Sequence, residues 1–146
     1  MSNADTLLAF DYGLRRIGVA VGNRLLETAT ALETIAGSAD GADFDAVQRL
    51  VDEWRPARLI VGRPTNMDGT PGTMTAKAER FARTLERRFA LPVDLIDERL
   101  SSVEAQDMIR SARRAGRKRR ARSGDVDKLA AQVILQSYLD AKAGNA

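Results

Sequence analysis

Three strand-like runs follow one another within the first 35 residues, and helical spacing begins only after them. Residues 7–11 (LLAFD) and 17–22 (IGVAVG) are short apolar runs joined by the turn-prone YGLRR. Gly22-Asn23 is a hairpin signal, and the threonine-rich stretch 27–35 suits a third strand. Links this short favour antiparallel neighbours, because a parallel pair needs a long crossover. From Asp43, an expected N-cap, helical and extended segments alternate. Phe44, Val47, Leu50, Val51 and Trp54 share one helical face before Pro56 stops it. Residues 59–61 then form a fourth strand that runs through Gly62-Arg63-Pro64 into the loop PTNMDGTPGT. From Thr73, the residues Ala78, Phe81, Ala82, Leu85 and Phe89 mark one stripe of a long helix ended by Leu91-Pro92. Residues 93–96 make a fifth strand, a capping box from Ser101 to Glu104 opens a helix to about Ser111, and a last helix covers about 125–143. The expected architecture is α/β, a mixed sheet flanked by helices in a single domain over 1–146. Its ordered core covers about 7–140, with residues 110–122 mobile.

The composition narrows the chemistry. With no cysteine and no histidine, the chain has no thiolate nucleophile, no Ser-His-Asp triad, no HExxH zinc site and no facial triad. An enzyme built from it works with carboxylates, Lys, Arg, Tyr, Ser/Thr, or a metal held by oxygen. No charged start precedes an apolar h-region and no apolar run reaches 18 residues, so a cytoplasmic location without membrane contact is expected. The charge is uneven. Residues 110–122 (RSARRAGRKRRAR) hold eight basic residues and no acidic one. Removing those eight charges from the net +3 leaves −5 on the rest of the chain. A mildly acidic body with one concentrated basic segment is the footprint of a polyanion partner, nucleic acid before membrane.

Acidic residues fall at the ends of elements. Asp11 ends the first strand, and Asp97 and Glu98 end the fifth. Asp127 lies in the first turn of the last helix, in line with the core-type residues Ala131, Ile134 and Tyr138. Capping explains any one of them. As a group they would repel unless a cation compensates, and Mg²⁺ or Mn²⁺ is the usual cation for an all-oxygen site. Two such ions about 4 Å apart drive phosphoryl displacement without histidine or cysteine. A carboxylate cluster beside a polycation suits phosphodiester chemistry.

Four strings in order resemble the YqgF/RuvX family, described both as Holliday-junction resolvases and as pre-16S rRNA nucleases. They are Asp11-Tyr12-Gly13-Leu14-Arg15-Arg16-Ile17-Gly18-Val19-Ala20; Val61-Gly62-Arg63-Pro64 with Asn66-Met67-Asp68-Gly69-Thr70; Asp97-Glu98-Arg99-Leu100-Ser101; and Gly124-Asp125-Val126-Asp127 running into Ala130-Ala131 and Ile134-Leu135-Gln136. Together they cover the chain from about Leu7 to Tyr138. The resemblance implies an RNase H-like fold, with a five-stranded mixed sheet whose first three strands are antiparallel. It also implies a nuclease site of Asp11, Glu98 and Asp127 that binds one or two Mg²⁺ or Mn²⁺ ions. Glu98 is chosen over Asp97 from the family motif; strand periodicity says only that one of the two points into the site. Arg63 departs from the family, which carries an apolar residue after Val-Gly. Asp125, two residues before Asp127, reads as an N-cap.

The implied activity is metal-dependent hydrolysis of phosphodiester bonds, with the 5′ end of pre-16S rRNA as substrate and a pre-ribosomal particle as partner. Two alternatives stay open: a resolvase acting on four-way DNA junctions, and a non-catalytic RNA-binding module of ribosome assembly. The chain is expected to act as a monomer or a homodimer. Arg15, Arg16 and Arg63 are placed to contact phosphates near the site, and Arg113, Arg114, Arg117, Lys118, Arg119, Arg120 and Arg122 to grip them further away. Asn66 is a substrate-loop candidate, although turn chemistry also accounts for it. Tyr12 is the aromatic placed to stack on a base, since Phe44, Trp54, Phe81 and Phe89 fall on core stripes. Asp11-x-Gly13 also suits the phosphate loop of actin-like and sugar-kinase ATPases, but those close a cleft between two such domains.

Overall fold

The computed structural model describes residues 3–38, 41–64, 68, 70–97 and 123–144. In chain order the elements are β1 (Asn3–Asp11), β2 (Arg16–Asn23), β3 (Thr28–Ser38), β4 (Gly41–Ala42), α1 (Phe44–Trp54), β5 (Pro56–Arg63), α2 (Thr73–Phe89), β6 (Val93–Asp97) and α3 (Ser123–Gly144). The sheet order is β4-β3-β2-β1-β5-β6. β1, β2 and β3 pair antiparallel, whereas β1–β5 and β5–β6 are parallel. The five longer strands form the mixed sheet that the sequence implies, and the two-residue β4 pairs only with Gly37 and Ser38 at one edge.

Strand alternation divides the apolar residues between two layers. Leu8, Phe10 and Tyr12 of the β1 segment, with Ile17 and Val19 of β2, pack against Val47 and Leu50 of α1 and Ala78, Phe81, Ala82 and Leu85 of α2. Leu7 and Ala9 of β1, Ala20 of β2 and Ile96 of β6 face the other way, onto Ala131, Ile134, Leu135 and Tyr138 of α3. The helical stripes at 78–89 and 131–138 are therefore core faces on opposite sides of one sheet. Among the described residues, no helix is long and apolar enough to cross a membrane.

Element ends follow local chemistry. The Asp43 carboxylate accepts from the backbone N–H of Ala46 at 3.1 Å, the expected N-cap. α1 ends at Trp54, before Pro56 as expected. Arg55 turns into the left-handed region at φ 47°, and Pro56 opens β5, where its missing N–H is tolerated. Gly22 and Asn23 lie inside β2, and the turn follows at 24–27, with Asn23 Oδ1 accepting from the N–H of Leu26 at 2.9 Å. α3 begins at Ser123, so Asp125 lies inside the helix and not at the position before it.

Ala90 ends α2 at φ 53° with its N–H bonded to the Glu86 carbonyl, the position where helices favour glycine. Left-handed backbone costs a residue with a Cβ about 1–2 kcal/mol, partly offset by glycine's extra freedom when unfolded. Ala90→Gly is therefore expected to stabilise the chain by about 0.5–1 kcal/mol, raising the thermal midpoint by roughly 1–4 °C. A lower midpoint in a melt would contradict this reading of the α2 C-terminus.

Candidate active site

The site begins with a choice of small residues. In β2 the positions facing α3 are Gly18, Ala20 and Gly22, while Ile17, Val19 and Val21 face the other layer. A Cβ built on Gly18 would lie 1.8 Å from the carbonyl oxygen of Asp127 and 2.3 Å from its carbonyl carbon. A Cβ on Gly22 would lie 2.6 Å from Cδ2 of Leu135. The helix thus rests on the bare backbone of β2, with Asp127, which opens its second turn because α3 starts at Ser123, seated on Gly18.

Gly18 is also the cross-strand partner of Asp11. Asp11 continues the Leu7 and Ala9 series of β1, so the strand's alternation turns it to the α3 face. Asp11 and Asp127, 116 positions apart in sequence, therefore both border Gly18 at one end of the sheet. Arg16 precedes Gly18 by two residues and shares its face. Its Nε donates to Asp127 Oδ2 at 2.8 Å, with the arginine side chain 44% and the aspartate 26% exposed. A pair this wet adds at most about 1 kcal/mol to stability. It does place a fixed positive charge among the carboxylates. The turn that carries Arg15 is held from β3, where the N–H of Gly37 donates to the Arg15 carbonyl at 2.9 Å. Arg15 itself is exposed.

On the far side of β1, strand β6 repeats the alternation. The Asp94 carboxylate accepts from Tyr138 Oη of α3 at 2.7 Å and from Arg58 at 2.9 Å, and Ile96 packs in the α3 layer. Burial and the Asp94 acceptor push the Tyr138 phenol up to about 12, so it stays a donor that ties α3 to β6. Asp97 ends β6 in register with Arg63.

The remaining sequence candidates sort into three groups. Arg63 is held by Glu79 of α2, Nε to Oε1 at 3.1 Å, which offsets its charge. Tyr12 is not available to a base. It is only 9% exposed and stacks on Phe81 at 4.9 Å between ring centroids, because it continues the Leu8 and Phe10 series into the core. Glu98, Asn66, Arg113, Arg114, Arg117, Lys118, Arg119, Arg120 and Arg122 lie outside the described residues.

Sequence reasoning missed Gly18, although its signal was present: small residues at every second position of an otherwise branched apolar run. Among the described residues no three acidic, histidine or cysteine side chains gather as metal ligands. The two that border Gly18 are carboxylates. An all-oxygen donor set fits a hard divalent cation such as Mg²⁺ or Mn²⁺, and it fits zinc or copper poorly.

Comparison with known proteins identifies the family. A pre-16S rRNA nuclease homologue of Burkholderia multivorans, named "Putative pre-16S rRNA nuclease", is 52% identical over 135 residues, covering 92% of this chain and 89% of its own. A protein of the same name from Paraburkholderia phymatum is 50% identical, covering 92% and 85%. Among solved structures, T. thermophilus RuvC in complex with a Holliday junction substrate superposes with a TM-score of 0.56 at 16% identity, over 97% of this chain and 98% of that one. The Thermus thermophilus RuvC structure gives 0.52 at 15% identity, over 95% and 96%. The likeness to RuvC shows the RNase H-like fold. The family model for RuvX, described as Holliday junction resolvase, matches residues 5–141. With more than nine-tenths of its length inside that model, the chain belongs to the RuvX family.

Proposed function

We propose that the chain is a metal-dependent endonuclease that trims the 5′ end of pre-16S rRNA, with Asp11, Glu98 and Asp127 as its ligands for one or two Mg²⁺ or Mn²⁺ ions. The observation that carries this reading is the seating of Asp127 on Gly18, the cross-strand partner of Asp11. It brings two carboxylates from opposite ends of the chain to the mouth of one sheet. Asp94 and Ile96 of β6 face α3, so alternation turns Asp97 to the other face, and Glu98 is taken as the third ligand from the family motif. The names of the close relatives favour RNA.

Bound divalent ions supply an acidified water and charge stabilisation at the leaving oxygen. The protein's part is to hold Asp11, Glu98 and Asp127 converged, so that no side-chain general base is needed. Arg15, exposed on the turn after β1, meets the flanking phosphates, and the basic segment 110–122 holds the RNA further from the cut. Arg16 balances Asp127 until a second cation arrives. Arg16→Gln is therefore expected to tighten Mn²⁺ binding several-fold, because two cations no longer compete for one carboxylate. An Mn²⁺ titration read by electron paramagnetic resonance checks this; unchanged or weaker affinity would instead make Arg16 a support for the Asp127 rotamer.

The family's description favours a second reading, cleavage of four-way DNA junctions by the same carboxylates. It requires paired cuts and hence a homodimer. Labelled RNA with an extended 16S 5′ end and a labelled DNA four-way junction, each incubated with the protein and Mg²⁺ or Mn²⁺, separate the two. Cleavage of the RNA alone is the expected result. Cleavage of the junction alone would install the second reading, and salt-sensitive binding with no cleavage would point to the assembly module.

A further inference from the structure

Five of the seven described arginines outside α2 are matched to acids, Arg15 and Arg55 being the others. Arg16 pairs with Asp127, Arg24 with Asp5, Arg49 with Glu33 and Glu53, Arg58 with Asp94 and Arg63 with Glu79. Helix α2 instead gathers several unmatched cations on one face. Lys77, Arg80, Arg83 and Arg87 are all exposed, and among the described residues none has an acidic partner. At 100° per residue, these four and Arg88 share an arc of roughly 140° on the side away from the sheet. Both acids of the helix, Glu79 and Glu86, fall outside that arc. Glu79 stands four residues before Arg83, the spacing of a helical ion pair, but it is turned to Arg63 instead.

Ordinary helix electrostatics does not account for the pattern. Cations favour the last turn, which explains Arg87 and Arg88. They are not favoured near the first turn, and α2 has no acidic residue there while Lys77 is in its second turn. We propose that this face of α2 is a second phosphate-binding surface for RNA, separate from residues 110–122. The assignment rests on nucleic acid being the substrate. From Lys77 to Arg87 the face runs about 15 Å. α2 starts at the end of the sheet where Asp11 lies, because β5 runs parallel to β1, and then leads away from it. It lies in the layer opposite α3, so it takes a segment of RNA beyond the cut and not the scissile phosphate. The aromatics of α2, Phe81 and Phe89, pack into the core, which leaves no ring on this face to stack on a base. Such contacts anchor the RNA backbone without reading its bases.

The test is equilibrium binding of the extended 16S RNA to the full chain in EDTA, where nothing is cut, over 50–200 mM KCl. The variant combines Lys77→Gln, Arg80→Gln, Arg83→Gln and Arg87→Gln, exposed changes that keep helix propensity. Each phosphate contact adds roughly 0.7–0.9 to the slope of log affinity against log salt, so the slope is expected to fall by about three. Over that salt range this makes the loss of affinity about 60-fold smaller than in the wild type. Arg24→Gln with Arg49→Gln, which removes paired cations, is expected to leave the slope in place. An unchanged slope in the α2 variant, or an equal fall per charge in the control, overturns the surface while leaving the nuclease reading intact. Wild-type chain that shows no salt-dependent binding overturns both. A slope that depends on α2 in a chain that cleaves neither substrate keeps this surface and removes the nuclease reading.

Discussion

Gly18→Ala is expected to cut RNA cleavage about 100-fold and to destabilise the chain by about 1–3 kcal/mol. The added Cβ would sit 1.8 Å from the Asp127 carbonyl oxygen, and the obstructing atoms are backbone, so no side-chain rotation relieves the clash. The N-terminal part of α3 has to lift by more than an ångström to restore van der Waals contact, and Asp127 lifts with it. Displacement of a reacting group by about 1 Å is enough for a loss of that size. The overpacking cost follows from a close-packed interior, with Ala131 and Leu135 of α3 both fully buried. For a chain of this length the thermal midpoint falls by roughly 2–4 °C per kcal/mol. Rates per molecule and a melt of the same preparation separate the two effects. Wild-type rates in Gly18→Ala would mean that α3 does not depend on this seat.

Asp11→Asn and Asp127→Asn are expected to act differently, removing cleavage without a comparable fall in stability. Each replacement keeps the shape and takes away one negative charge that a divalent ion needs. Losing an outer-shell partner of a metal costs roughly 10–100-fold, and the loss of a direct ligand exceeds that. Groups that act as one unit are strongly non-additive. The double variant is therefore expected to be hardly slower than the worse single one. A double variant slowed by the full product of the two single effects would show that the carboxylates work independently, against a shared site. Asp127→Asn has a further consequence, since the 2.8 Å contact with Arg16 loses its ionic character. With Arg16 exposed and Asp127 only partly buried, the melting temperature should move little.

The fold was legible from β1 onward, because its apolar residues carry two periodicities. IGVAVG reads as a strand from its branched residues, and the stripe of Ala131, Ile134 and Tyr138 reads as a buried helical face. The same run held information that a count of apolar residues conceals. Its small members, Gly18, Ala20 and Gly22, alternate with Ile17, Val19 and Val21, which marks the face that a helix approaches closely. Tyr12 was legible too, since it extends the Leu8 and Phe10 series by one step into the core. Next to a glycine turn, it reads as exposed only when that series is ignored.

Other features had no local signal. Arg16 and Asp127 are 111 positions apart, and nothing in either neighbourhood names the other. The same holds for Glu79, whose spacing suits Arg83 although it turns to Arg63. Pairing of long, charged side chains is decided by which elements pack together, and periodicity does not encode that choice. The basic segment 110–122 and Glu98 rest on the sequence alone and lie outside the described residues.

The central claim is that carboxylates gathered at Gly18 hold a divalent ion. Its most direct test is Mn²⁺ binding to the free protein, followed by electron paramagnetic resonance in the wild type and in Asp11→Asn, without nucleic acid. One or two bound ions in the wild type, with affinity sharply reduced in Asp11→Asn, is the expected result. Equal binding by the two proteins would contradict the claim and move the metal, and the chemistry with it, away from the end of β1.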